Sequence, residues 1–167
     1  MDRRLAAILV ADVVGYSRLI ETDEAGTLTT LKARKTEILQ PLVAKHNGRI
    51  VKFMGDGVLV EFASAVSGVQ CAVDLQAAMS LANQGLVENK QIVFRMGLNL
   101  GEVVVEREDI YGDGVNVAAR LEALCEPGGV YLSDNVYRQI RGKTQLLFDD
   151  LGEQSLKNIH GRCGSIE

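Results

Sequence analysis

Apolar residues run unbroken over positions 5–11 and stop at Asp12 and Gly15, the pattern of a short strand buried on both faces. Over residues 23–46 the period changes: Leu28, Leu31, Ile38, Leu39 and Leu42 recur at helical spacing, and Asn47-Gly48 follows as a C-terminal stop. Pro41 lies inside that run and predicts a break or kink near Gln40, because proline has no N–H for the preceding turn. Residues 50–54 and 58–62 flank Gly55-Asp56-Gly57 and read as a tight hairpin. A second amphipathic helix is expected over 65–81, with Val69, Ala72, Val73 and Ala77 on one stripe. Residues 92–100 alternate: Ile92, Phe94, Met96, Leu98 and Leu100 point one way, Arg95 and Asn99 the other, and Gly101 ends the strand. The helix carrying Asn116 and Arg120 has Val117, Leu121 and Leu124 as its expected core stripe, and Pro127-Gly128-Gly129 turns the chain. Short strands at 129–132 and 146–150 flank a last helix at 134–140. Strands mixed with helices around a hairpin predict an α+β sandwich, helices packed on a largely antiparallel sheet.

At 167 residues and 47% hydrophobic content the chain is the size of one domain, and 1–167 is expected to fold as a single unit. Cys71, Cys125 and Cys163 are odd in number and widely spaced, which indicates neither a disulfide framework nor a zinc site and fits a reducing cytoplasm. Eighteen basic against 22 acidic side chains leave a net charge of −4, without the footprint of a protein that binds nucleic acid or an anionic membrane. Arg3 and Arg4 before the apolar stretch imitate a signal peptide, but Asp12 and a glycine turn follow where a cleavage pattern should stand. No run approaches the 18 or so apolar residues of a membrane span.

Several positions resist a purely structural reading. Asp12 and Asp56 each stand at the end of an apolar strand, where a carboxylate is rigidly held yet faces outward; two converging there would make an oxygen-rich site suited to magnesium. Asp56 alone is equally what a turn between two glycines calls for. Behind Asp12, Val13-Val14-Gly15-Tyr16-Ser17 could turn backbone N–H groups toward a phosphate. By strict alternation Lys52 shares the face of Ile50 and Met54, where it needs a partner or must snorkel. Asn116 and Arg120, four apart on a helix among small residues, share a face about 5 to 6 Å apart at Cβ. Asparagine is a poor interior helix residue and the guanidinium fork suits phosphate, although a solvated face explains the pair too.

In order along the chain, ADVVGYSRL, VKFMGDGVL, RMGLNLGEV, DIYGDGVNVAAR and LKNIHG together resemble the catalytic domain of class III nucleotidyl cyclases over nearly the whole length. The resemblance implies a ferredoxin-like, palm-type sandwich and an adenylate cyclase in which the ribose 3'-hydroxyl of ATP attacks the α-phosphorus and pyrophosphate leaves. It further implies Asp12 and Asp56 as ligands of two Mg2+ or Mn2+ ions per site, with the Val13 carbonyl as an extra ligand. Gly15, Tyr16 and Ser17 match the turn that holds the terminal phosphates. Lys52 and Asp109 match the pair that reads the purine, Asn116 the ribose-orienting asparagine, Arg120 the transition-state arginine and Lys157 a triphosphate-binding lysine.

The base can be argued from hydrogen-bonding capacity. A lysine only donates and an ionised aspartate only accepts, so the pair complements adenine, with its acceptor N1 and donor 6-amino group, and opposes guanine. Lys52 and Asp56 sit four apart at a hairpin, yet their tasks lie at opposite ends of one nucleotide, roughly 10 Å or more apart. In the family a head-to-tail homodimer resolves this conflict, with Asp12 and Asp56 from one chain and Lys52, Asp109, Asn116, Arg120 and Lys157 from the other. The segment between Gly101 and Asp109 is shorter than in many family members, where a longer arm grips the partner, and RCGSIE ends where the family usually has a final strand. A catalytically silent, cyclase-like module that binds nucleotide or dimerises is the alternative, since fold alone does not establish activity.

Overall fold

The computed structural model describes residues 2–144, 148–156 and 159–166. Strand β1 (Asp2–Val13) is followed by helices α1 (Tyr16–Thr22) and α2 (Glu24–Arg34), a π-helical turn at Lys35–Leu39, and α3 (Gln40–Lys45). The hairpin β2 (Arg49–Met54) and β3 (Gly57–Phe62), helix α4 (Ala65–Asn83) and strand β4 (Phe94–Glu106) complete a β-α-β-β-α-β unit. Then come β5 (Asp109–Tyr111), α5 (Asp113–Leu124), β6 (Val130–Ser133), α6 (Asp134–Ile140), β7 (Phe148–Leu156) and β8 (Ile159–Ile166). The sheet order is β2-β3-β1-β4-β6-β8-β7, with β5 paired to the end of β4; every pairing is antiparallel except β4 with β6. This is the expected α+β, ferredoxin-like arrangement.

Strand β1 is apolar because it is covered twice. Ala7, Leu9, Ala11 and Val13 join the main core beneath α2 to α4 and α6, while Ala6, Ile8 and Val10 form a second cluster with Leu59, Ile110 and Ala118 under α5 and β5. Asp12 continues the second row. The face beneath α5 is thus where β1 delivers its carboxylate.

Some expectations hold and others are corrected. Pro41 does not break the long helix: Arg34, Lys35, Leu39 and Gln40 all keep helical dihedrals, and the irregularity is a π-turn immediately before α3, where the Gln40 N–H bonds the Lys35 carbonyl. Asn47 ends it at φ 58, and the Gly48 N–H returns to the Val43 carbonyl at 2.8 Å. Leu28, placed on the core stripe by spacing, is 47% exposed. In α4 the buried line is Gly68, Val69, Ala72, Leu75 and Met79; Val73 is half-buried and Ala77 exposed. Strand β4 does not stop at Gly101 but runs to Glu106 and turns back through Arg107, at φ 58, into β5. In α5 the core line is Gly114, Ala118 and Leu121; Val117 is only half-buried and Leu124 is 46% exposed. Lys52 is also re-placed. Register shifts between Ile50, paired with Val60, and Lys52, paired with Leu59, so a β-bulge moves Lys52 off the face of Ile50 and onto that of Leu59, Ile8 and Asp12.

Cys71 and Cys125 are buried and free. Among the described residues no helix is long and apolar enough to cross a membrane.

Helix α5 lies directly on β4. A Cβ at Gly97 would collide with the Ala118 carbonyl, the Leu121 carbonyl carbon and the Glu122 N–H, all main chain that cannot swing aside. Gly97→Ala is therefore expected to cost about 1–3 kcal/mol, lowering the melting temperature by roughly 2–4 °C per kcal/mol in a chain of this size. A melt followed by circular dichroism checks this; an unchanged midpoint would mean that the helix is not held at backbone contact.

Candidate active site

Asp12 and Asp56 meet although 44 positions apart, because Ala11 pairs with Val58 and Met54 with Gly57, which sets the hairpin tip beside the end of β1. Gly57 makes room: a Cβ there would lie 2.9 Å from the Ala11 carbonyl and 3.5 Å from Asp12 Oδ1. Asp12 Oδ1 accepts from the Val13 N–H at 2.9 Å. Burial, then the hydrogen bond and charge of Asp56, then the charge of Glu122 push the Asp12 carboxyl up to about 7, against the Val13 amide. Glu122, on α5, is likewise raised by burial; Arg95 opposes the shift and Asp56 adds to it. Arg95 stands opposite Asp12 on β4 and donates Nε to the Cys125 carbonyl at 2.8 Å. Three carboxyl groups thus crowd one half-buried place with more negative charge than the neighbouring cation offsets. That donor set fits a divalent cation. Magnesium commonly takes one or two carboxylates and fills its other positions with substrate oxygens and water. The three carboxyl groups do not by themselves complete a metal site: among the described residues no group of three or more His, Cys, Asp or Glu is placed to hold an ion.

Beyond Asp12, the Val13 side chain is in the core and its N–H is held by Asp12 Oδ1. Gly15 adopts φ 63 and starts α1, where Tyr16 packs against the core and Ser17 is exposed.

The second constellation lies where the bulge puts Lys52. Its Nζ meets Asp109 Oδ2 at 3.0 Å and stands 5.5 Å from the centre of the Tyr111 ring. The Lys52 hydrogen bond is the main force holding the Asp109 carboxyl below its usual range; burial opposes it, and the Ile110 N–H and Tyr111 assist. Tyr111 is raised in turn, chiefly by its hydrogen bond to Asp109. These side chains, with Val51 and residues 106–108, line an open groove of about 520 Å³. Tyr111 was missed in the sequence, although an aromatic residue two places after Asp109 was a usable signal.

Asn116 and Arg120 are both exposed on α5. Among the described residues their side chains form no hydrogen bond or ion pair. Asn99 Nδ2 donates to the Gly114 carbonyl at 3.0 Å, and a Cβ at Gly114 would sit 2.8 Å from the Glu102 carbonyl. The helix is clamped at its start, and its two polar side chains stay open to solvent. The structure therefore joins Asp12 to Asp56 and Lys52 to Asp109, but ties Asn116 and Arg120 to neither pair. Lys157 lies outside the described residues.

Residues 3–166 match the family model described as the adenylate and guanylate cyclase catalytic domain. "Putative adenylate cyclase 3" of Rhizobium meliloti is 57% identical over 157 residues, which is 94% of this chain and 27% of that protein. An adenylate cyclase of Streptomyces coelicolor is 31% identical, over 83% of this chain and 34% of its own length. The chain thus spans about a quarter to a third of the length of these two relatives. Among solved structures, an adenylate/guanylate cyclase/hydrolase from Silicibacter pomeroyi superposes with TM-score 0.91 at 42% identity, covering 99% of this chain and 98% of that one. The adenylyl cyclase CyaB from P. aeruginosa gives 0.82 at 25% identity, covering 100% and 96%. With that family's description spanning residues 3–166, the chain belongs to the adenylate and guanylate cyclase catalytic-domain family.

Proposed function

We propose that this domain converts ATP to 3',5'-cyclic AMP and pyrophosphate, in sites shared across a head-to-tail homodimer. The Lys52–Asp109 pair carries the reading, because it presents one donor and one acceptor on the face that also bears Asp12 and Asp56. Lys52 donates to adenine N1 and Asp109 accepts from the 6-amino group. In the free protein the two satisfy each other. An exposed pair of this kind is worth roughly 0–1 kcal/mol, so a base that substitutes for each partner separates them at little cost. Two relatives named as adenylate cyclases support the same base.

Asn116 aligns the ribose so that its 3'-oxygen faces the α-phosphorus; the new O–P bond forms as the bond to pyrophosphate breaks, and the hydroxyl proton leaves to water or substrate. Arg120 faces the equatorial oxygens on which charge spreads during the transfer, and so acts most strongly in the transition state. The turn at Gly15, Tyr16 and Ser17 and the ammonium of Lys157 hold the terminal phosphates. Asp12 and Asp56, with the Val13 carbonyl, hold Mg2+ or Mn2+, which when bound supplies positive charge to the attacking and leaving oxygens.

Asp12 and Asp56 come from one chain and the other residues from its partner, because the hairpin that carries both Lys52 and Asp56 spans one nucleotide poorly. Purified protein with ATP and Mg2+ or Mn2+ should yield cyclic AMP, and GTP far less cyclic product. Asp12→Ala and Asn116→Ala should each be inactive alone, while an equimolar mixture should regain about a quarter of wild-type activity through heterodimers with one intact site. Heterodimers without activity would exclude sharing; folded wild-type dimers that form no cyclic product would leave a nucleotide-binding module.

Lys52→Glu with Asp109→Cys should exchange donor for acceptor and move preference toward GTP, by about tenfold or more in the ratio of kcat/KM values. Retained ATP selectivity would remove both residues from base reading.

With its carboxyl raised to about 7, Asp12 binds a proton more tightly folded than unfolded between about pH 4 and 7, so stability of the metal-free protein should fall as pH rises through that window. Asp12→Asn should flatten this slope and raise the melting temperature at pH 8 by roughly 2–4 °C, the equivalent of about 1 kcal/mol. Mg2+, which competes with the proton, should stabilise wild type more at pH 8 than at pH 5.5. Thermal shift measurements check this, and an Asp12→Asn protein with the wild-type slope would refute the assignment.

A further inference from the structure

On the site face, at the end of the sheet away from Asp12, a buried carboxylate is gripped by two arginines. Glu61 is 8% exposed, yet it is ionised: burial opposes its charge, and the hydrogen bonds from Arg4 and Arg49 outweigh it and hold its pKa below the usual range. Arg4 donates Nε to Oε2 at 2.9 Å and Nη2 to Oε1 at 2.7 Å, a two-point fork. Arg49 donates Nε and Nη2 to Oε1 at 3.3 and 3.1 Å, and turns its remaining Nη1 to the Glu108 carbonyl at 2.8 Å.

That last bond joins two segments that also meet through the Lys52–Asp109 ion pair and the approach of Lys52 to the Tyr111 ring. Arg49 stands three residues before Lys52, and Glu108 directly precedes Asp109. The turn that carries Glu108 passes through Arg107 in the left-handed region, a conformation a non-glycine residue adopts only when its surroundings hold it. Lys52 and Asp109 cannot hold that geometry themselves. Their ion pair is part-exposed, and a base that inserts between them removes it.

We propose that Arg49, oriented by Glu61 and Arg4, is a positioning residue for nucleobase selection, holding the Glu108 carbonyl so that Asp109 stays at a fixed distance from Lys52 while a purine edge lies between them. The proposal rests on the reading of Lys52 and Asp109 as the base-contacting pair. A guanidinium is needed because it reaches carboxylate and carbonyl at once with a planar fork, whereas an ammonium is a single point of charge.

Wild type, Arg49→Ala and Arg49→Lys are compared by steady-state kinetics with ATP and with GTP. Arg49→Ala should raise KM for ATP and lower the ATP-to-GTP ratio of kcat/KM by about tenfold, with kcat for saturating ATP changed less than about threefold. Arg49→Lys should restore stability more than it restores the ratio, and it carries the test if the alanine variant does not fold. A core variant distant from the site, Val136→Ala, supplies the control: an equal loss of melting temperature with an unchanged ratio separates positioning from general destabilisation. Hydrogen–deuterium exchange of peptides covering residues 104–112 is read on the same proteins without nucleotide, and should be faster in both Arg49 variants. An inactive wild type would defeat the cyclase reading and leave this exchange result to judge the clamp. Unchanged exchange, or faster exchange with an unchanged ATP-to-GTP ratio in active protein, overturns the proposal.

Discussion

The approach of α5 to β4 at backbone distance is the constraint on which the rest of the site depends. At Gly97 and Gly114 no side chain separates helix from sheet, and Asn99 ties the Gly114 carbonyl from below. A helix seated on side chains would ride higher and tolerate sliding; one seated on main chain has a single height and rotation. Asn116 and Arg120 then project to solvent from a fixed base, while Glu122, on the same helix, acts electrostatically on the carboxylates at the end of β1.

Charge on this face of the sheet is handled in two opposite ways. At one end Glu61 receives two guanidinium groups and stays ionised in spite of burial. At the other, Asp12, Asp56 and Glu122 crowd together with Arg95 as the opposing cation, and burial and neighbouring charge push the Asp12 and Glu122 carboxyls up instead. The contrast separates a cluster satisfied by its own chain from one short of positive charge. A carboxylate surrounded by donors has no need of a ligand, whereas a group of carboxylates short of positive charge gains on binding a cation that brings its own.

Much of this was legible in the sequence. The unbroken apolar run of β1, the Gly55-Asp56-Gly57 hairpin and the helical irregularity before Pro41 follow from burial and backbone chemistry, and the motif order indicated the family. Facing was less legible. Nothing in Val51 or Lys52 marks a bulge, since neither is a glycine or a proline, and alternation counted through it places the lysine on the wrong side. The seam of α5 was misjudged because large apolar residues usually mark a core, whereas here Gly114 and Ala118 do so by being small. The turn at Arg107 carries no glycine to announce its left-handed residue, so β4 seemed to stop at Gly101. Contacts such as Arg4 with Glu61, 57 positions apart, become visible only once strands are in register.

The bulge in β2 has a consequence beyond local geometry. A strand stores facing as parity, and one extra residue inverts that parity for everything downstream until the next irregularity. Lys52 reads as a base-contacting residue because of its chemistry, but it reaches the groove because of a count. Transplanting Lys52 and Asp109 into a related scaffold would therefore carry the letters without the punctuation unless the additional residue at Val51 went with them. Divergence among such domains can then proceed by single-residue insertion or deletion as well as by substitution, changing which side chains meet the ligand while leaving every residue type intact.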